Sequence, residues 1–131
     1  MRNPSRPLSP HLTIPYRWGP HMVVSILHRA TGAALAVAGG IGFAWWLAAA
    51  ASGPAQYARF MHIAQSWPGY VVAIGLSWSF FQHLFSGLRH LLLDTGAGYE
   101  LRTNKIWAIM TMVGSVAATL LMWAFIYSAR G

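Results

Sequence analysis

Residues 30–58 read ATGAALAVAGGIGFAWWLAAAASGPAQYA, 29 consecutive positions without a charge. Two further charge-free stretches follow, Phe60 to Leu88 and Ile106 to Ala129. Each is longer than the about 20 apolar residues that a helix needs to cross a bilayer. The rest of the composition agrees: of 131 residues nine are Lys or Arg, two are Asp or Glu, and 56% are apolar. A soluble domain is about a quarter charged. Disorder is excluded because apolar surface is ample.

The net charge of +7 raises the question of a nucleic-acid partner. The charges stand at the ends of the apolar stretches, and no basic cluster interleaves with aromatics as a phosphate-tracking groove requires. No nucleic-acid partner is expected. Cysteine is absent, which excludes disulfides, iron–sulfur ligation by this chain and covalent c-type haem attachment.

The pattern predicts an all-α membrane protein in one domain, 1–131, with transmembrane helices at about 25–49, 69–92 and 106–128. Residues 1–22 hold Pro4, Pro7, Pro10, Pro15 and Pro20 and read as an extended arm. Thr31 to Leu47 superficially resembles a signal peptide, but the preceding region is long and Pro-broken, and Trp45 and Trp46 stand where small residues are needed. Between the first two spans, Gly53-Pro54 opens a short interfacial helix with Tyr57, Phe60, Met61 and Ala64 on one face, closed by Trp67-Pro68. With the N-terminus inside, Arg2, Arg6, Arg17, Arg29, Arg89, Arg102 and Lys105 lie inside, against Arg59 and Arg130 outside. That asymmetry predicts an N-in, C-out topology.

Polar residues inside spans are costly and usually face a ligand, a partner or water. Here Ser25, His28, Arg29 and Gly32 share one face at the start of the first span. His83, Gly87, His90 and Asp94 share one face late in the second. Under the topology above, both faces lie on the inner side. His83 is about 10 Å deeper than His90 at 1.5 Å per residue. A neutral imidazole there can ligate iron, Gly87 leaves room for a flat macrocycle, and Arg29, His28 and His90 can meet propionates. This suits a b-type haem between helices. Ser25 and Arg29 could also hydrogen-bond the carbonyls of a quinone.

Plainer readings stand beside these. A lone histidine in a span often serves only in packing, and Arg29 and Arg89 can snorkel to the headgroups, which is the default for Arg89. His11, His21 and His62 read as surface or interfacial residues. Gly32, Gly39, Gly40 and Gly42 with Ala33 and Ala36 suit close helix packing. A haemless structural anchor and a self-contained cytochrome using His28 and His83 as both ligands therefore stay open. The second ranks last, because His28 is expected near the inner surface and His83 deeper.

Three motifs make the sequence resemble the cytochrome b (b556-type) membrane-anchor subunits of succinate dehydrogenase, the succinate:quinone oxidoreductase of respiratory complex II. They are Arg6-Pro7-Leu8-Ser9-Pro10-His11-Leu12 with Tyr16-Arg17-Trp18, then Ser25-Ile26-Leu27-His28-Arg29-Ala30-Thr31-Gly32, then His83-(x3)-Gly87-Leu88-Arg89-His90-(x3)-Asp94-Thr95-Gly96. The resemblance covers essentially the whole chain. It implies that His83 is an axial ligand of haem b, with His28, Arg29 and His90 beside the haem. It implies that Ser25, Arg29 and Asp94 border a site for ubiquinone or another quinone. It also implies a second small membrane-anchor subunit that completes the helix bundle and supplies the other axial histidine. Succinate chemistry then belongs to an iron–sulfur subunit and a flavoprotein subunit, with no catalytic residue here. Pro15 is an extra residue relative to that family's arm, and Leu93 stands where an aromatic or Met is usual. The arm lacks the pattern of a transit peptide, so a bacterial inner membrane is expected rather than a mitochondrial one.

Overall fold

The computed structural model describes residues 19–129. The arm before them, with Arg2, Arg6, His11, Pro15, Arg17 and Trp18, lies outside the described residues, as does Arg130. Among the described residues every element is helical: α1 (Pro20–Ala51), α2 (Pro54–Ala64), α3 (Trp67–Asp94) and α4 (Leu101–Ser128). α1, α3 and α4 contain 32, 28 and 28 residues and are long and apolar enough to cross a membrane. At 1.5 Å per residue they measure about 42–48 Å, against a hydrocarbon core of about 30 Å. Their ends therefore reach into the headgroup layers, and the expected spans lie inside them.

The helix ends follow from local chemistry. Pro20, counted with the arm in the sequence, instead opens α1, where a missing N–H is harmless. Trp67-Pro68, expected to close the short helix, instead begins α3 for the same reason. Ser66 caps that start: its hydroxyl accepts from the Gly69 N–H at 3.4 Å and donates to the Ile63 carbonyl at 2.6 Å. The turn is so tight that a Cβ on Gly69 would stand 2.3 Å from the Ala64 carbonyl oxygen. At the other end of α2, Gly53 has φ +99°, a backbone state that favours glycine. α2 folds back on α1, with Phe60 edge-on to Trp45 at 4.9 Å, while Gln56 and Arg59 stay exposed.

α1 is not uniform. Leu35–Gly39 forms a π-helical turn between Pro20–Ala34 and Gly40–Ala51. One extra residue in a turn rotates everything beyond it by about 100° relative to an unbroken α-helix. Gly40 and Gly42 thus meet no described neighbour within 4 Å, so the close packing expected of them does not occur within this chain.

α3 packs along α4 and against the first half of α1. The seams between these helices are polar. Buried hydrophobic residues are only Val24, Ala49 and Ala108, whereas Ser79, Gln82, Ser86 and Arg89 of α3 and Thr111, Ser115 and Thr119 of α4 are buried. Long apolar side chains such as Leu91, Leu121 and Phe125 point outward. This inversion suits hydrocarbon surroundings, where tight packing and hydrogen bonds, not apolar burial, join helices. The Ser115 hydroxyl donates to Gln82 Oε1 at 2.7 Å. Thr111 and Thr119 return their protons to carbonyls of their own helix at 2.8 and 2.7 Å.

The pairing predicts an asymmetry. Ser115→Ala leaves a fully buried amide without its donor and is expected to destabilise the α3–α4 pair by about 1 kcal/mol. Adding Gln82→Leu removes the orphan and is expected to recover most of that loss. Unfolding of the purified protein in mixed detergent micelles measures both; equal stability of wild type and Ser115→Ala contradicts the role of the bond.

Candidate functional site

Gly32 brings α1 and α3 together. A Cβ there would stand 2.9 Å from His83 Cε1, so the imidazole occupies the space a side chain would fill. His83 Nδ1 lies 3.1 Å from the His28 backbone carbonyl and 3.4 Å from Thr31 Oγ1. A carbonyl only accepts, so Nδ1 carries the proton and donates. The Thr31 hydroxyl already donates to the Leu27 carbonyl at 2.7 Å and can accept here. The lone pair of His83 is therefore on Nε2.

His28 is fixed by the same logic. Its Nδ1 is 2.7 Å from Ser86 Oγ, and that hydroxyl donates to the Gln82 carbonyl at 2.6 Å. The hydroxyl proton being used, His28 Nδ1 donates to Ser86. The two rings stack face to face, 4.1 Å between centroids with planes 6° apart. His90 meets His28 edge-on at 5.2 Å and 61°. The structure thus gathers His28, His83 and His90 into one half-buried cluster.

Two expectations about this cluster change. His28 and His83 do not sit at separate depths; their stacking puts them at one level. Gly87 faces the His28 ring, whose Cε1 would be 3.6 Å from an added Cβ, so it abuts α1 and does not hold space open for a macrocycle. Stacked rings direct their in-plane lone pairs side by side, not toward one another, which gives no bis-histidine iron site between them.

Ser25, Arg29 and Asp94 stand elsewhere. The inward face of α1 centres on Val24, His28 and Thr31, leaving Ser25 and Arg29 exposed along its edge one turn apart. Asp94 is exposed at the end of α3. These three are open to whatever covers this side of the chain. Among the described residues no group of three or more His, Asp or Glu can enclose a metal ion. A single imidazole with a fixed tautomer suits a metal that brings its own equatorial ligands.

Sequence reading missed Arg89. It is 5% exposed and does not snorkel: Nη2 donates to Asn104 Oδ1 of α4, and Nε has no partner. The signal was present, since Ser79, Gln82, Ser86 and Arg89 recur at the three-and-four spacing of a helix seam.

Gly32→Ala is expected to displace the His83 ring and break its bond to the His28 carbonyl. Nitrogen-15 shifts of the labelled histidines check this, because losing the fixed Nδ1–H tautomer moves both ring nitrogens. An unchanged spectrum contradicts the close approach.

The family model described as succinate dehydrogenase/fumarate reductase transmembrane subunit matches residues 2–122. A succinate dehydrogenase cytochrome b556 subunit from Paracoccus denitrificans is 39% identical over 117 residues, covering 89% of this chain and 88% of the relative. One from Rickettsia conorii is 36% identical over 119 residues, 90% of each chain. The mitochondrial cytochrome b560 subunit of Sus scrofa is 32% identical over 121 residues, 86% of this chain and 69% of the relative.

Proposed function

The chain belongs to the succinate dehydrogenase/fumarate reductase transmembrane-subunit family, and on that footing we propose that it anchors the succinate-oxidising subunits to the membrane, helps hold haem b and forms part of the quinone-reduction site. The observation that carries the haem reading is the His83 Nδ1–H donated to the His28 carbonyl, which leaves Nε2 as an iron ligand of fixed direction. When bound, haem b supplies a one-electron redox centre beside the quinone site. His83 holds the iron, and the second axial histidine comes from another small membrane subunit. His28, Arg29 and His90 face the propionates. Since His28 spends Nδ1–H on Ser86, it meets a carboxylate through Nε2 only in its doubly protonated form.

Ser25 and Arg29 offer a hydroxyl and a guanidinium, one turn apart and exposed, to a quinone carbonyl. Both donors strengthen their hold as that oxygen gains electron density, and neither must reorganise to do so. Asp94, at the end of α3, borders the quinone site and the contact with the iron–sulfur subunit. Electrons arrive from that subunit, fed in turn by the flavoprotein. The small-residue face of α1, with Ala33, Ala36 and Gly40 exposed, supports packing of the second anchor subunit's helices. The setting is a bacterial inner membrane, with the N-terminus inside and the C-terminus outside, the side favoured by the Arg/Lys asymmetry.

Two variants test the two roles separately. His83→Ala is expected to abolish or shift the b-type band in a reduced-minus-oxidised spectrum of the purified complex; an unchanged band refutes the axial assignment. Arg29→Leu is expected to lower quinone reduction about ten-fold or more, the value of one lost charge-assisted hydrogen bond. Succinate oxidation by an artificial dye should survive in that variant. Normal quinone turnover sinks the assignment.

A further inference from the structure

We propose that a groove between α3 and α4, at the end where α3 stops and α4 starts, binds one anionic phospholipid, its phosphate on Arg89 and an acyl chain along the groove. Only the membrane setting is shared with the reading above; neither haem nor quinone enters.

The groove encloses about 380 Å³ and is lined by Phe85, Leu88, Arg89, Leu92, Trp107 and Met110. It reaches Gly114 at its deep end, and so follows α4 for about 10 Å along the direction of lipid tails. Its wall is almost wholly apolar except for one group. Arg89 is 95% buried by the chain itself, its Nε has no partner, and its only contact, Asn104, is a neutral amide. Asp94 and Glu100, the acidic residues of the chain, are both exposed, and Glu100 accepts from Thr103. A guanidinium removed from water without a counter-charge is strongly unfavourable. The site asks for an anion carried on an apolar body.

A phospholipid meets both requirements. A helix of a partner, about 10–12 Å across with its side chains, cannot enter a groove of this size. A partner's carboxylate could reach Arg89 but would leave the apolar channel below it unfilled. Asn104, in the first turn of α4, draws the guanidinium toward the headgroup layer, and Arg102 and Lys105 stand exposed on the same turn region, where they attract anionic lipid. Trp107 at the rim is the residue type favoured at that depth.

Native mass spectrometry of the detergent-purified assembly containing the tagged chain, equilibrated with phosphatidylglycerol, tests this. Wild type is expected to retain one lipid. Arg89→Gln should lower retention about ten-fold or more, the value of a lost charge-assisted hydrogen bond. Leu92→Trp should do the same while leaving Arg89 in place, because Leu92 lines the groove from a half-exposed position where a larger side chain can fill it. It keeps the test decisive if Arg89→Gln fails to assemble. Retention unchanged in Leu92→Trp overturns the groove as the chain site, whatever Arg89→Gln does, and leaves phosphate capture alone. Retention unchanged in Arg89→Gln overturns the phosphate contact. A density map of the assembly with a partner's carboxylate on Arg89 overturns the whole proposal.

Discussion

Hydrocarbon offers no hydrogen-bond partner, and nearly every side-chain placement in this protein answers that constraint. Ser115 donates to Gln82, Ser86 closes on the Gln82 carbonyl and receives His28, and Thr31 closes on Leu27 while receiving His83. Each hydroxyl gives its proton to one acceptor and offers its lone pairs to a second group. The polar seam is therefore continuous with the histidine cluster: Gln82 and Ser86 belong to both. The imidazoles take their tautomers from the same network that joins the helices, so the chemistry of the site and the cohesion of the bundle are one set of bonds.

The spans were legible in the sequence because hydrocarbon excludes charge, and three charge-free stretches leave no other fold. The gathering of His28, His83 and His90 was legible too, since helical spacing places each residue on a face. Spacing along one helix measures height only on that helix, however. It says nothing of how far α1 is offset against α3, which is why His28 and His83 were expected at different depths and yet stack at 4.1 Å. The helix ends at Pro20 and Trp67-Pro68 were misplaced for a related reason. Proline was read as a terminator where its position at a helix start makes it an opener.

Arg89 shows the other limit. A charge near the end of a span reads by default as snorkelling, because single-helix reasoning supplies only lipid and water around it. The neighbouring seam residues Gln82 and Ser86 carry the information that this face meets α4, but polar residues in a span first attract attention as ligands. The π-helical turn at Leu35–Gly39 is harder still. Its sequence, Leu-Ala-Val-Ala-Gly, is ordinary helix composition, and it alone sends Gly40 and Gly42 away from the faces an unbroken helix would give them.

The division between a bonded seam and an open first helix has a consequence for biogenesis. α3 and α4 satisfy one another through Gln82 and Ser115, and the short connection between them lets the pair close as soon as both are inserted. α1, made earlier, holds only its first half against that hairpin and leaves its second half apolar and uncovered beyond the π-helical turn. A newly made chain is thus half finished: a stable hairpin beside an unclaimed rod. Membrane quality control can read that rod directly, so that a copy left without its companion subunit is marked by the same surface through which a successful copy is built in.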